Sequence, residues 1–181
     1  LEGIVGYGDV AKSREEARAL MRQAGYGPDK RLKIKVSTRN LATYRDPATI
    51  LIDHLKHIYI DGELEVIDTS IYYNRVFKKD YVVALNLTGS AVDDPDVAFF
   101  EGYACGSLRN YNNYCSPEMT KLFEEQSREV DQKKRLKMVW EVDRKLQEDI
   151  ARPIIAHNRA AGCWQPYVKG VTLHVNSIYN G

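Results

Sequence analysis

The segment EARALMRQAGY at positions 16–26, followed by LKIKVS at 32–37, decides the fold class that this chain is predicted to have. Ser13 and Glu16 have the spacing of a capping box, which predicts that a helix begins there. Gly25 stands where a left-handed residue commonly ends a helix. Residues 32–37 alternate apolar and basic side chains, which is typical of a half-buried strand. One face of the predicted helix is apolar and comprises Ala17, Leu20, Met21 and Ala24.

Strands and helices alternate after this point. Asp46 and Pro47 precede a helical pattern and predict an N-cap followed by proline in the first turn. Asp61 and Gly62 predict a turn into the next strand. The elements that follow are a strand at 63–68, a helix at 72–79 and an apolar strand at 81–87. Because strands separated by helices are joined by crossovers, the pattern predicts an α/β domain with a parallel core.

The pattern changes beyond residue 87. Two predicted helices have Asp131 as an N-cap between them, and Trp140 lies on the apolar stripe of the second, which predicts a core position. Pro153 lies near the start of a predicted strand, so we expect an edge strand there. The other predictions are loops at 88–96 and 101–116, the strand at 150–158, and a turn at 165–171 that leads into an extended piece.

Composition excludes some classes of function. The chain has 181 residues, a net charge of +1, 44% hydrophobic and 28% charged residues, as in ordinary globular domains. Basic and acidic residues are interspersed without a basic stripe, so nucleic acid is not an expected partner. The apolar runs are too short for a transmembrane helix.

Several segments resemble, in order, motifs of the extracytoplasmic solute-binding proteins of ABC importers, in the peptide and nickel group known as family 5. The segment at 16–26 resembles the family's eAkaLLaeAGY. Tyr59 stands where the family's iGi turn has glycine, and Val82 where its gdyDv strand entry has aspartate. The other matching segments are KDYVV at 79–83, LTG at 87–89 with DP at 94–95, NYNNY at 110–114, VDQKKR at 130–135, EDIARPI at 148–154 and VKG at 168–170.

The resemblance implies a three-layer αβα lobe with a mixed, mainly parallel sheet, of the periplasmic binding protein-like II type. Residues 1–160 would form an incomplete C-terminal ligand-binding lobe, and 161–181 a return segment towards a first lobe that these residues do not include. The implied role is solute capture by hinge closure in the periplasm, without a cofactor, and delivery to a membrane permease. An export signal is expected in the full-length precursor.

Candidate ligand-binding residues lie in loops after the predicted strands, where open parallel sheets bind ligands. Arg39 could bind a carboxylate through two parallel hydrogen bonds. The resemblance supports Arg39, because dipeptide-binding relatives have an arginine in this loop, although Arg45 is a rival in the gapped alignment. Without that resemblance, a solvated surface arginine is the more common interpretation of such a residue, beside the ligand contact.

A second set of candidates lies further along the chain. Thr88 and Gly89 resemble a motif in which relatives follow glycine with an aspartate that pairs the ligand's amino group, but Ser90 stands there. Asp93 and Asp94 come shortly after, and Asp94 could equally cap a helix before Pro95. Asn110 and Tyr111 could present an amide and a ring to the ligand, or belong to a polar turn. A peptide, opine or sugar-like solute fits these groups.

Cys105 and Cys115 bracket a short loop, and Cys163 is a third cysteine. In a reducing compartment the first two would be thiols, whereas in an exported protein they could form a disulfide. Cys163 is interpreted as a small buried or half-buried hydrophobe.

The sequence gives little support for a metal site or for enzymatic activity. His54 and His57 share a helix face near Asp53, but no third strong ligand is in register, so no metal site is predicted. No sequence motif of a nucleophile elbow, phosphate-binding loop or zinc protease occurs. The protein is therefore predicted not to be an enzyme, and a free-standing α/β enzyme domain of unknown chemistry is the alternative.

Overall fold

Three parallel strands form the sheet in the computed structural model, which describes residues 7–89, 92–157 and 163–171. Strands β1 (Leu32–Arg39) and β2 (Ile60–Ile67) pair along their whole length, and β3 (Val83–Ala84) pairs with the other side of β1. The predicted α/β class with a parallel core is confirmed. Strand β3 is shorter than the predicted 81–87 because only two of its residues complete the ladder.

The helices alternate with these strands and then follow one another. In the described residues they are α1 (Val10–Gln23), α2 (Ala42–Lys56), α3 (Thr69–Phe77), α4 (Pro95–Tyr103), α5 (Pro117–Arg128) and α6 (Gln132–Glu148).

Helix α1 begins earlier than predicted. Asp9 is the N-cap, and its carboxylate accepts hydrogen bonds from the amides of Ala11 and Lys12 at 2.8 and 3.2 Å. The predicted cap at Ser13 is therefore wrong, since Asp9 caps the helix one turn earlier. At the other end the prediction is confirmed, because Gly25 has φ +84°.

Helix α2 also begins before its predicted cap. Its N-cap is Leu41, without a side-chain hydrogen bond, and Asp46 and Pro47 lie inside the helix. The predicted cap at Asp46 is therefore wrong. Pro47 cannot donate to the carbonyl of Thr43, but Thr43 is exposed, so water can supply the missing donor.

The turn before β2 lies at Tyr59 rather than at the predicted Asp61 and Gly62. Tyr59 has φ +65°, a conformation that favours glycine. Gly62 lies inside β2 instead, where a Cβ atom would approach Ile52 Cγ1 to 2.9 Å. Glycine at this position allows α2 to pack closely on the sheet. The residue therefore serves packing and does not mark a turn, which is why the turn predicted at Asp61 and Gly62 is wrong.

Two faces of the sheet are covered by different helices. Alternate strand residues point to opposite faces. On one face, Val36 packs with Ala48 of α2 and with Leu85 in the buried core. On the other face, Ser37 donates to Glu65, and Glu65 pairs with Arg75 of α3 at 3.2 Å. The predicted helices on both faces are therefore present.

The chain divides into two compact units. The first comprises Leu1–Leu87 with Arg144–Asp149, and the second comprises Thr88–Asp143 with Ile150–Gly181. The first unit contains the sheet.

Helices α4 and α5 pack in the second unit through aromatic rings. Phe99 stacks on Phe123 at 5.4 Å, and Phe100 meets Phe123 edge-on at 5.9 Å. The extent of helix α4 was not predicted, because its residues fall in and between the two predicted loops at 88–96 and 101–116. Its only local signal is Asp94 before Pro95, the pair that does form its N-terminus.

Helix α6 begins where it was predicted to begin, but the side chains that it buries differ from the predicted ones. The Asp131 carboxylate accepts a hydrogen bond from the Lys134 amide at 3.0 Å, which confirms the cap. Val142 and Leu146 are 1% and 4% exposed, whereas Trp140 is 63% exposed. The predicted core position of Trp140 is therefore wrong for the described residues, because the buried stripe passes beside it.

The C-terminal predictions are partly testable. Residues 150–157 contain no strand, whereas residue 158 of the predicted strand lies outside the described residues. A strand needs a hydrogen-bonded neighbour, and no described strand pairs with this segment. The turn is confirmed, since the Val168 amide donates to the Gln165 carbonyl at 2.9 Å. No helix of the described residues is long and apolar enough to cross a membrane.

Candidate functional site

The candidate site lies at the carboxyl ends of β1 and β3 in the first unit. Arg39 is the last residue of β1. The register pairs Ser37 with Ala84, and the Leu85 amide donates to the Ser37 carbonyl at 2.9 Å, so pairing continues past β3. Arg39 and Asn86 each follow the Ser37–Ala84 pair by two residues, where the ladder between β1 and β3 ends.

Two tyrosine rings hold the Arg39 guanidinium. The guanidinium carbon lies 4.7 Å from the Tyr44 ring centroid and 5.2 Å from that of Tyr73. Arg39 Nη1 donates to the Tyr44 hydroxyl at 2.8 Å, with the Tyr73 hydroxyl at 3.5 Å. Since Tyr44 comes from α2 and Tyr73 from α3, the two helices fix this cation at the sheet edge.

Two buried polar atoms at this edge lack a partner among the described residues. They are Arg39 Nε, which is a donor, and Asn86 Oδ1, which is an acceptor. A buried polar atom without a hydrogen bond costs about 1–3 kcal/mol. Such a cost is characteristic of a place where a ligand or water completes the hydrogen bonds.

The surrounding backbone is held rigidly. The Leu85 carbonyl accepts hydrogen bonds from the Tyr72 hydroxyl at 2.9 Å and from the Thr38 hydroxyl at 3.3 Å. Tyr72 and Thr38 are fully buried. These contacts anchor the segment that presents Asn86 against the end of β1.

The other predicted ligand residues belong to the second unit. Thr88, Gly89 and Asp93 are exposed, and Ser90 lies outside the described residues. The prediction that these residues line one face with Arg39 concerns residues of both units, and it stays a prediction.

Asp94 makes structural contacts. Its carboxylate caps α4 by accepting from the Asp96 amide at 2.9 Å, and it pairs with Arg135 through two contacts of 2.8 and 2.6 Å. The Arg135 hydrogen bonds and the Asp96 amide lower the pKa of the Asp94 carboxyl to about 2. These contacts favour the capping alternative, and a ligand contact by Asp94 stays a prediction.

Asn110 closes the loop between the cysteines. It is 3% exposed, its amide nitrogen donates to the carbonyls of Ala104 and Tyr114, and its oxygen accepts from the Tyr114 amide at 3.1 Å. These hydrogen bonds favour the turn alternative for Asn110, and its ligand role stays a prediction.

An arginine supports the same loop. The Arg152 guanidinium carbon lies 5.1 Å from the Tyr103 ring and 5.7 Å from the Tyr111 ring, and its Nη2 donates to the Gly102 carbonyl at 3.1 Å. Burial raises the pKa of the Tyr103 phenol, although the Arg152 charge opposes this effect. Tyr111 therefore packs against a cation of its own unit, and its predicted ligand contact stays a prediction.

Cys105 and Cys115 form a disulfide in the structure, with an S–S distance of 2.13 Å and Cα atoms 4.6 Å apart. Asn110 and the disulfide close the same short loop. Cys163 is a free, exposed thiol, so its predicted burial is wrong.

Metal-ligating side chains do not converge in the part of the chain that the structure describes, where no group of three such residues could hold an ion. Near His54 and His57, the Asp53 carboxylate pairs with Lys56 at 3.2 Å.

Sequence reasoning missed Asn86 and the two tyrosines around Arg39. Asn86 was assigned to the interior of a predicted strand. Its one local signal is a polar residue between Leu85 and Leu87 at the end of an apolar run. Tyr44 and Tyr73 carry no local signal for contact with Arg39, since two different helices bring them there.

No family model and no curated protein matches the chain in sequence. Solved structures do match it in fold. OppA from Haemophilus influenzae, in complex with the peptide RPPGFSPFR, has a TM-score of 0.73 and 21% identity, over 82% of this chain and 31% of its own.

Two other structures give the same result. DppA from Helicobacter pylori, an ABC transporter-associated periplasmic binding protein in complex with the peptide STSA, has a TM-score of 0.65 and 23% identity, over 79% of this chain and 28% of its own. NikA from Staphylococcus aureus, in complex with Ni(L-His)2, has a TM-score of 0.68 and 18% identity, over 76% of this chain and 30% of its own. The chain therefore has the α/β fold of one part of these binding proteins, and it spans about 30% of their length.

Proposed function

We propose that the chain is part of the second lobe of a family 5 solute-binding protein of an ABC importer. The observation that carries this proposal is the fold shared with OppA, DppA and NikA over 76–82% of the chain. The ordered motif matches, beginning with EARALMRQAGY, support the same assignment. The similar structures are binding proteins, which favours a role without catalysis.

The proposed mechanism is capture of a solute between two lobes that close about a hinge, followed by docking on a membrane permease. This chain would contribute the carboxyl ends of β1 and β3, where parallel sheets bind ligands. Arg39 supports this role, since its guanidinium is oriented by Tyr44 and Tyr73 before any ligand arrives. Because the guanidinium is already oriented, less conformational entropy is lost when a ligand binds. We place the protein outside the cytoplasm, with an export signal in its precursor.

The proposed solute is a peptide, opine or sugar-like molecule that has a carboxylate together with hydroxyl or amide groups. Thr88, Ser90 and Asp93 stay candidates for contributing hydroxyls and an acid. Because Ser90 replaces the aspartate that dipeptide-binding relatives have after glycine, we expect weak binding of free dipeptides.

Calorimetry tests this proposal on the natural polypeptide that contains these residues, with panels of peptides, sugars and opines. Arg39→Ala should weaken binding of the captured solute by about 1.5–3 kcal/mol, because a charge-assisted hydrogen bond is lost. Arg45→Ala is the matched control, since Arg45 is exposed and its Nη1 contacts Asn40 at 3.4 Å.

The outcomes separate the alternatives. A loss in the Arg45 variant alone would assign the contact to the rival arginine. Tight binding of free dipeptides would show that the missing acid after Gly89 is unimportant. Failure of every panel to bind would contradict the capture function.

A further inference from the structure

The first half of α6 exposes an apolar pair together with three lysines. Leu136 and Trp140 are 47% and 63% exposed, and their spacing of four residues places them on one face of the helix. Lys133, Lys134 and Lys137 are exposed beside them. We call these five residues the α6 patch, and all of them belong to the second unit. Because a tryptophan ring buries a large apolar area when it is covered, the charges around Trp140 indicate what kind of surface could cover it.

The lysines of the α6 patch form no ion pair in the part of the chain that the structure describes. Residues 132–140 contain no acidic side chain, and Glu141 follows Lys137 by four positions without pairing with it. Lys133 and Lys137 also lie four positions apart, and two like charges at this spacing destabilise a helix. On α5 and the rest of α6, ion pairs at the same spacing are Lys121–Glu125, Glu124–Arg128 and Arg144–Glu148.

Lys133 and Lys134 also lie at the end of the helix that disfavours cations. They belong to the first turn of α6, where the helix dipole is positive. The nearest preceding carboxylates, those of Glu129 and Asp131, accept hydrogen bonds from the Asp131 and Lys134 amides at 2.8 and 3.0 Å, so they are oriented towards the backbone. The α6 patch therefore concentrates positive charge where it lowers the stability of the helix, and an anionic partner would relieve this repulsion.

We propose that the α6 patch docks on an anionic phospholipid surface. The Trp140 ring and the Leu136 side chain would enter the headgroup region, where such side chains are stabilised. The lysine stems can lie along the apolar surface while their ammonium groups reach lipid phosphates. All three cations are lysines, which act as mobile point charges and suit a fluid array of phosphates better than the fixed carboxylates of a protein partner. The proposal does not depend on the solute-capture function.

Co-sedimentation with lipid vesicles tests the proposal on the natural polypeptide that contains these residues. One set of vesicles is pure phosphatidylcholine, and the other contains phosphatidylcholine and phosphatidylglycerol in equal parts. We expect binding to the anionic vesicles to be at least about tenfold tighter, because three lysines approach a negative surface. The binding should weaken as salt is added, since salt screens exposed charges.

Trp140 fluorescence reports whether the α6 patch itself enters the lipid. Its emission should shift to shorter wavelengths with the anionic vesicles and not with phosphatidylcholine, because the ring leaves water only in the first case. Trp164, the other tryptophan of these 181 residues, is 49% exposed and lies outside the patch. The shift should therefore survive in Trp164→Phe and disappear in Trp140→Phe.

Two charge reversals of equal size separate a lipid contact from a general effect of charge. Lys133→Glu removes a lysine from the α6 patch and should weaken binding to anionic vesicles at least about fivefold. The same change should raise stability against urea, because a glutamate in the first turn suits the helix dipole and precedes Lys137 by four positions. Lys121→Glu is the matched control, since it breaks the exposed pair with Glu125 in α5 and should leave vesicle binding unchanged.

Several results would overturn the proposal. These are equal binding to the two kinds of vesicle, no binding to either, a loss as large in Lys121→Glu as in Lys133→Glu, or a fluorescence shift that persists in Trp140→Phe. An acidic protein that contacts Trp140 when no vesicles bind would assign the patch to a protein interface instead. Circular dichroism verifies that each variant is folded. None of these results bears on solute capture, which the calorimetric panel measures separately.

Discussion

Asp94 shows how one side chain can cap a helix and hold an ion pair. Its carboxylate lies at the N-terminus of α4, where a negative charge is favourable, and it contacts Arg135 through both oxygens. Arg135 also donates to the Gln126 side chain at 3.3 Å, and Gln126 is fully buried. At the scale of single residues, this network ties three helices of the second unit together.

The Asp94 pair should make stability depend on acidity. The folded pKa is about 2, below the ordinary value of 3.8. A lowered folded pKa adds stability above the ordinary value, and this contribution is lost as the pH falls from about 4 towards 2. The two side chains are 27% and 33% exposed, so solvent screening reduces the expected contribution to about 1 kcal/mol. Urea unfolding at a series of pH values measures it.

Two variants distinguish the contribution of the helix cap to stability from the contribution of the charge. Asp94→Asn keeps a good capping side chain and should lose only the charge-dependent part, whereas Asp94→Ala should lose about 1 kcal/mol more. An unchanged pH dependence in Asp94→Asn would contradict the role of the ion pair.

At the scale of elements, the loop between Cys105 and Cys115 is closed twice. The disulfide joins its ends, and Asn110 bonds the carbonyls of Ala104 and Tyr114, the residues that precede the two cysteines. The Arg152 side chain adds bonds to the carbonyls of Gly102 and Arg109. The loop conformation therefore depends on polar contacts as well as on the covalent bond.

Reduction should destabilise the second unit without opening the loop in the native state. A disulfide that closes a loop this short contributes about 2–3 kcal/mol. Intact mass should rise by two hydrogens on reduction, and urea unfolding should show the loss. Asn110→Ala in the reduced protein should cost about a further 1 kcal/mol, because the half-buried carbonyls of Ala104 and Tyr114 lose their donor.

A matched control is Cys163→Ser, which removes the exposed free thiol and should leave both measurements unchanged. Two additional free thiols in protein purified in air would contradict the bridge.

At the scale of the whole molecule, the fold is shared with proteins of which this chain spans about 30%. If the proposed capture function holds, solute binds only the folded state and should stabilise it by about 2.7 kcal/mol at a concentration of 100 times Kd. Thermal unfolding with and without solute measures this shift. Arg39→Ala should reduce the shift at the same solute concentration, whereas Arg45→Ala should not. A solute that binds by calorimetry without raising the unfolding temperature would contradict the expected coupling.

Much of the fold could be predicted from the sequence because the signals are local. The alternation in residues 32–37, the glycine at position 25 and the cap at Asp131 each depend on a few neighbouring residues. The errors at Ser13 and Asp46 were also local, since both have capping chemistry but lie inside helices that begin earlier. Local chemistry thus predicts the presence of a helix more reliably than the residue at which the helix begins.

The sequence by itself determined the parallel α/β class and the position of Arg39 near the carboxyl end of a strand, although Arg39 is the last residue of β1 and does not lie in the predicted loop after Ser37. Only the tertiary structure decided that Tyr44 and Tyr73 contact Arg39, because α2 and α3 bring their rings to the end of β1. The orientation of α6, with Trp140 exposed and Val142 buried, was decided at the same level. The physical reason is that hydrogen bonding within a helix or turn is set by adjacent residues. Strand order and buried helix faces depend instead on which distant apolar surfaces exclude water together.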